Sequence, residues 1–211
     1  MGIYGFMGCG LIELARTLFG KLRADAGTMS IGGRSLRPRS TAEARRAGIA
    51  FVPESRRSML FHTEPVYKNM SISVLGRIGR SNTRPMRPSV EKDIARRHVQ
   101  SLSIRPPTVE TLLGSLSGGN QQKVALAKWL TWPPKVLVLS EPTRGMDVGA
   151  KEDVVRIVKG LREQGMGVVV LSTEPETVLS LADRIVVMKK GRIVREFAGE
   201  TVSKDQLLEA A

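Results

Sequence analysis

Aromatic residues are scarce in this chain: Phe, Tyr and Trp together make up 4% of its 211 residues. Val, Ile, Leu, Ala and Met must therefore fill the core, and there is little material for the stacked rings that bind single-stranded nucleic acid. The single cysteine, Cys9, leaves no partner for an internal disulfide, which fits a reducing setting. Cys9 reads as a small buried filler rather than a reactive thiol. The two histidines, His62 and His98, stand far apart with no Cys or Asp cluster beside them, so a zinc-type ligand set is absent. No apolar run approaches the ~18 residues of a membrane span, and the first residues carry no signal-peptide pattern.

What is present is enough for one substantial domain: 23.1 kDa with a hydrophobic fraction of 41%. The formal charge of +13 is uneven. Between Arg34 and Arg105 there are sixteen Lys and Arg against five Asp and Glu. Such an excess attracts nucleic acid, anionic head groups or an acidic partner. No RNA or DNA motif accompanies it, and only Phe51, Phe61 and Tyr67 fall within it, so it reads as a solvated arginine-rich surface.

Apolar periodicity sets the organisation. MGIYGF is a short strand running into a glycine-rich turn, and Leu11 to Leu22 follows with helical spacing. An extended piece over Thr28 to Ile31 ends at Gly32-Gly33, Thr41 to Ala47 is a short helix stopped by Gly48, and Ile49 to Val52 is a strand. Arg77 to Pro88 reads as an exposed loop, and Ser89 caps a helix whose face is Val90, Ile94, His98 and Leu102. A helix over Gly119 to Leu130, broken by Trp132-Pro133-Pro134, leads to the continuous apolar strand Val136 to Leu139, of the kind buried on both faces of a parallel sheet. Trp129 and Trp132 read as packing residues. Lys151 to Gln164 and Pro175 to Ala182 are helices around the strand Val168 to Leu171. Ile185 to Met188 and Arg192 to Arg195 form a hairpin about Lys190-Gly191, and Ser203 to Gln206 is a capping box for a last helix. Strands alternating with helices predict an α/β fold around a mostly parallel sheet.

Three stretches carry chemistry. Gly5-Phe6-Met7-Gly8-Cys9-Gly10-Leu11-Ile12 follows a strand and opens a helix, the place where backbone N–H groups cradle phosphate. The full motif has Lys and Ser/Thr after its last glycine; here Leu11 and Ile12 stand there, so the charge and the metal-binding hydroxyl are gone. Leu116-Ser117-Gly118-Gly119-Asn120-Gln121-Gln122 offers a hydroxyl, two glycines that permit close approach, and a helix N-terminus. Val136-Leu-Val-Leu-Ser140-Glu141-Pro142-Thr143 places Glu141 just past a buried strand, where a carboxylate can polarise a water beside a phosphate.

With LSGGNQQK, the run Glu141 to Lys151 (EPTRGMDVGAK), Val52-Pro-Glu54-Ser-Arg56 and Ala182 to Met188 (ADRIVVM), the chain resembles the nucleotide-binding domain of ABC transporter ATPases. More narrowly, it is similar to the second domain of the tandem ATPase subunits that drive ribose-, galactose- and xylose-type monosaccharide importers. The resemblance implies an α/β P-loop NTPase of ABC ATPase type over residues 1–211, with a helical subdomain inserted at 64–116 and the N-terminal antiparallel strands missing. It implies ATP sandwiched between one domain's phosphate loop and the other's signature. Gly5 to Ile12 then takes the Walker A position, Ser117, Gly118, Gly119 and Gln121 the signature, Ser140-Glu141 the end of Walker B, Asp147 the D-loop, Glu54 the Q-loop and Glu174 the switch-histidine position. Ser140 and Ile12 occupy the positions of the usual Mg²⁺ ligands. Each lost charge-assisted phosphate contact removes about 2–3 kcal/mol. The chain's own Walker site is therefore expected to hydrolyse ATP poorly despite Glu141, with Mg²⁺ held mainly at a partner domain.

The partners implied are a second nucleotide-binding domain, membrane permease subunits docking near Phe61 to Asn69 and, indirectly, a periplasmic or extracellular sugar-binding protein. The resemblance places the chain peripherally on the cytoplasmic face of the inner membrane, with no nucleic-acid partner expected. Met1 begins on the phosphate loop's own strand, so a longer two-domain protein is expected. Two other readings stand beside this one: an ABC protein acting on nucleic acid or the ribosome, and a catalytically silent scaffold.

Overall fold

The computed structural model describes residues 1–75, 87–198 and 202–211. In chain order the first elements are β1 (Gly2–Tyr4), α1 (Leu11–Leu18), β2 (Met29–Ile31), β3 (Arg34–Leu36), α2 (Thr41–Ala47) and β4 (Ile49–Val52). Next come α3 (Val66–Ser71), α4 (Pro88–Ser101), α5 (Gly118–Leu130), β5 (Val136–Ser140) and α6 (Val148–Glu163). The chain closes with β6 (Gly167–Ser172), α7 (Pro175–Leu181), β7 (Arg184–Lys189), β8 (Arg192–Ala198) and α8 (Lys204–Ala210). Packing groups these into two compact units, Met1–Glu54 with Pro134–Arg144 and Val155–Ala211, and Ser55–Pro133 with Gly145–Val154.

The first unit is built on a six-stranded sheet in the order β4-β5-β6-β1-β7-β8, parallel throughout except for the antiparallel β7–β8 edge. The unbroken apolar runs form its centre because strands covered on both faces have no solvated side for polar residues. Ile3, Leu137, Leu139, Val170, Leu171 and Val187 are each at most 4% exposed. Helix α1 packs on β5 and β6, and α7 on β1 and β6.

The second unit is helical and packs α3 against α4 and α5. Val124 to Ala127 in α5 are fully buried, as are Val66, Met70 and Leu113. Asn69, also fully buried, accepts the Phe61 N–H at 2.8 Å and donates to the Phe61, Glu64 and Pro65 carbonyls, pinning the loop before α3.

Several boundaries differ from the sequence expectation, each for a local reason. Helix α1 stops at Leu18 rather than Leu22, because Gly20 is left-handed at φ 71 and a Cβ there would lie 2.7 Å from the Ser40 carbonyl oxygen. The Arg16 carbonyl is then satisfied from beyond the helix, by Lys21 N–H at 2.8 Å. Helix α4 begins at Pro88 with Arg87, not Ser89, in the cap position, since Pro is pre-set for a first helical residue. Its buried face is Glu91, Ala95 and Val99 with Leu102, while Val90 is 37% exposed. A purely apolar pattern misses this because Glu91 goes inside as the acceptor of the buried Ser71 hydroxyl. Strand β3 was not anticipated; its polar Arg34-Ser35 pairs with β2 across Gly32-Gly33, both at positive φ. Helix α6 starts at Val148 because Asp147 Oδ1 accepts the Ala150 N–H at 2.8 Å. The Arg77 to Pro88 loop expectation falls almost wholly outside the described residues. The Ser203–Gln206 capping box is present in full.

Gly20→Ala is expected to cost about 3 kcal/mol, combining left-handed strain with a backbone clash. Gly27→Ala, also at positive φ but with nothing within 4 Å of its Cβ, should cost only about 1 kcal/mol. Urea unfolding of both variants checks this; equal losses would contradict the account of where α1 ends.

Candidate nucleotide-binding site

The parallel register brings the sequence-predicted residues of the first unit to one edge. Tyr4 pairs with Ser172 and Ser140 with Leu171, so Gly5, Glu141 and Thr173-Glu174 all follow the carboxyl ends of neighbouring strands. Open parallel sheets bind ligands at that edge.

The glycine-rich turn is tightly built. A Cβ on Gly5 would lie 2.4 Å from the Met188 carbonyl oxygen and 2.6 Å from the Cys9 sulfur. Cys9 N–H donates to the Phe6 carbonyl at 3.1 Å, and Gly191 N–H to the Cys9 carbonyl at 2.9 Å. Gly8 and Gly10 are left-handed, and Gly10 caps α1 without a side-chain acceptor. Cys9 is buried, as expected from sequence. Burial pushes its thiol pKa up, opposed by the Leu11 backbone N–H at the first turn of the helix. Phe6 and Met7 are exposed, whereas Leu11 is only 6% exposed and Ile12 half-buried. The side chain following the last glycine is thus committed to the core, and the loop has no cation of its own to offer a triphosphate.

Glu141 leaves β5 at φ 49, a left-handed position unusual for a non-glycine residue, and is 8% exposed. Both carboxylate oxygens are held: Oε2 accepts the Ser172 hydroxyl and Oε1 the Thr173 N–H, each at 2.8 Å. Its own N–H donates to the Leu171 carbonyl at 2.8 Å. Glu174 Oε2 accepts the Thr143 and Thr177 hydroxyls, each at 3.1 Å, and Glu174 N–H donates to the Ser172 hydroxyl oxygen at 3.1 Å. Ser172 thereby links the Glu141 carboxylate to the backbone N–H of Glu174. Glu54 Oε1 pairs with Arg16 at 3.1 Å, and its other oxygen is buried without a partner among the described residues.

In the second unit, Ser117 is the exposed N-cap of α5, its hydroxyl oxygen accepting the Asn120 N–H at 3.4 Å and the Asn120 side-chain amide at 2.9 Å. Gln121 turns back, donating to the Leu116 carbonyl at 2.9 Å. Gly119 is buried and a Cβ there would lie 2.7 Å from that of Ala150. Asp147, which caps α6, is therefore fixed close to the signature turn, the two segments brought together by the Gly119–Ala150 contact.

Sequence reasoning found the acids but missed their holders. Ser172, Thr143 and Thr177 are 0%, 1% and 4% exposed, and their only signal was small polar residues at the ends of buried strands and in a helix turn. Magnesium does not fit the residues present. Ile12 brings no oxygen, Ser140 is 1% exposed, Glu141 is engaged twice, and no cluster of three His, Cys, Asp or Glu ligands exists among the described residues.

The family model described as "ABC transporter" matches residues 1–144. The chain belongs to the ABC transporter family. It is 37% identical to the ribose import ATP-binding protein RbsA 3 of Rhizobium etli, over 100% of this chain and 41% of that protein. It is 42% identical to the ribose import ATP-binding protein RbsA 2 of Rubrobacter xylanophilus, over 100% of this chain and 40% of that one. The chain thus spans about two fifths (41%) of the length of the curated relatives it matches. Among solved structures, a nucleotide-free ATP-binding cassette from an ABC transporter superposes with a TM-score of 0.81 at 24% identity, covering 94% of this chain and 80% of that one. The ADP conformation of another cassette gives 0.79 at 22% identity, covering 99% and 82%. The fold is that of an ABC ATPase cassette, in line with the sequence expectation.

Ser172→Ala removes a donor to one buried carboxylate and an acceptor from the next residue pair. It is expected to cost about 2 kcal/mol, read from the urea midpoint; a loss under about 0.5 kcal/mol would show that the carboxylate network is not what holds this edge.

Proposed function

We propose that the chain is the degenerate half of a sugar-importing ABC ATPase, contributing its signature to ATP bound on a partner domain. The observation that carries this reading is the contrast between the two phosphate-facing turns. Leu11 lies buried where a phosphate-binding lysine is expected, whereas Ser117, Gly118 and Gly119 form an intact helix cap with the serine exposed. A helix N-terminus of this kind stabilises an anion.

In this reading Ser117 and the amides after it meet the γ-phosphate of a nucleotide whose Mg²⁺ and lysine belong to the partner. Asp147, in the D-loop position, stands beside the same contact. Gly5 to Ile12 is a cradle with weak affinity for ATP, Glu141 and Glu174 are the remnant of a general-base site, and Glu54 stands at the Q-loop position. The relatives' names, ribose import ATP-binding proteins, support a monosaccharide as the cargo of the whole assembly. The permease would dock on the loop before α3, where Phe61 is 50% exposed and Asn69 fixes the backbone. The working place is then the cytoplasmic face of the membrane, and no helix among the described residues is long and apolar enough to cross it.

The test pairs this chain with a nucleotide-binding domain carrying the Walker lysine and aspartate. Ser117→Arg in this chain should lower turnover of the pair by at least about tenfold. Leu11→Lys, Ile12→Thr and Ser140→Asp together should raise ATP hydrolysis at this chain's own site. If the unmodified chain already hydrolyses ATP as well as the triple variant, the degenerate-half reading is wrong.

A further inference from the structure

Arg56 lies in the second unit, in a single 3-10 turn spanning Arg56–Ser58 that follows the Glu54 position. Its side chain turns to the signature. The Nη2 atom lies 3.3 Å from where a Cβ on Gly118 would stand, which sets the guanidinium against the first residue of α5. The side chain is half-buried, and among the described residues it makes no ion pair and no hydrogen bond. Burial pulls its pKa down, with no neighbouring carboxylate acting the other way.

That arrangement is electrostatically incomplete. A guanidinium has five N–H donors in a planar fork, and a structural arginine in a protein of this size ordinarily spends them on carbonyls or a carboxylate. Here the neighbour is the N-terminus of a helix, which is itself positive. Two positive groups share one place, partly shielded from water, with no acid between them. The same fork matches phosphate geometry bidentately. Its neighbour Arg57 offers a contrast, being exposed.

We propose that Arg56 is a further binding residue of the signature face, presenting its guanidinium to the terminal phosphate of the nucleotide that the partner domain holds there. This rests on the reading of Ser117 to Gly119 as a nucleotide-facing signature, and it adds a cation that the motif alone does not contain. It also makes the face selective for a triphosphate over a diphosphate. The extra cation acts on the phosphate group that ADP lacks. A domain whose own glycine cradle has no lysine would thus still bring one positive side chain to the shared nucleotide, from the opposite side.

The experiment uses the full chain paired with a competent nucleotide-binding domain, and reads association in ATP and in ADP together with turnover. Arg56→Ala should weaken ATP-driven association and turnover by about tenfold or more, the loss expected of one charge-assisted phosphate contact. Arg56→Lys, which keeps the charge but not the fork, should lose less. Association in ADP should be unchanged, and Arg57→Ala should match the unmodified chain. Urea midpoints taken on every variant separate a folding defect from a binding one, and Arg56→Gln carries the comparison if the alanine variant unfolds. The inference is overturned if Arg56→Ala stays within about twofold of the unmodified pair while Ser117→Arg disables it. It is overturned equally if ATP- and ADP-driven association fall together, the mark of a merely structural role. If Ser117→Arg itself has no effect, the signature reading fails and this inference fails with it.

Discussion

The side chain that follows a phosphate loop's last glycine decides which charge the loop can hold, and here that side chain is Leu11, 6% exposed and packed beneath its own helix. A glycine cradle supplies oriented amides, but amides alone do not offset four negative charges on a triphosphate. The turn around it keeps its shape for reasons internal to the fold. Gly5 leaves room for the Met188 carbonyl and the Cys9 sulfur, and Gly191 N–H binds the Cys9 carbonyl. The geometry of the turn is set by these packing contacts, independently of the charge on the side chain that follows it.

The same separation runs through the rest of the strand-end edge. Glu141 and Glu174 are both tied into a polar net with Ser172, Thr143 and Thr177. Buried carboxylates survive in a fold only when hydrogen bonds replace the water they lose. In this chain those bonds come from hydroxyls and one backbone N–H. The second unit has the opposite balance. Ser117 keeps its acceptor at the mouth of α5, and the nearby Arg56, which has no side-chain partner among the described residues, makes that mouth more positive still.

Much of this was legible in the sequence, for identifiable reasons. Val136 to Leu139 and Val168 to Leu171 are short, unbroken, β-branched-rich apolar runs, the pattern of a strand covered on both faces. Ser203 and Gln206 specify their helix start by reciprocal hydrogen bonds between near neighbours. The LSGG turn is local too, as are Leu11, Ile12 and Ser140 in their own motifs. What stayed hidden depends on residues distant in sequence. The burial of Glu91 needs Ser71, and the end of α1 needs the Ser40 carbonyl near Gly20. The clamp on Glu141 comes from the next strand, and the place of Arg56 from a helix whose start lies far downstream. No periodicity encodes such pairings; only the folded register brings them together.

The most direct measurement is calorimetric titration of Mg²⁺ and ATP into this chain alone and then into its complex with a competent nucleotide-binding domain. The account predicts MgATP binding to the chain alone that is far weaker than to the competent domain, and a single tightly bound nucleotide per pair held at the partner's site. Tight MgATP binding by the isolated chain, with an affinity like that of the competent domain, would contradict it.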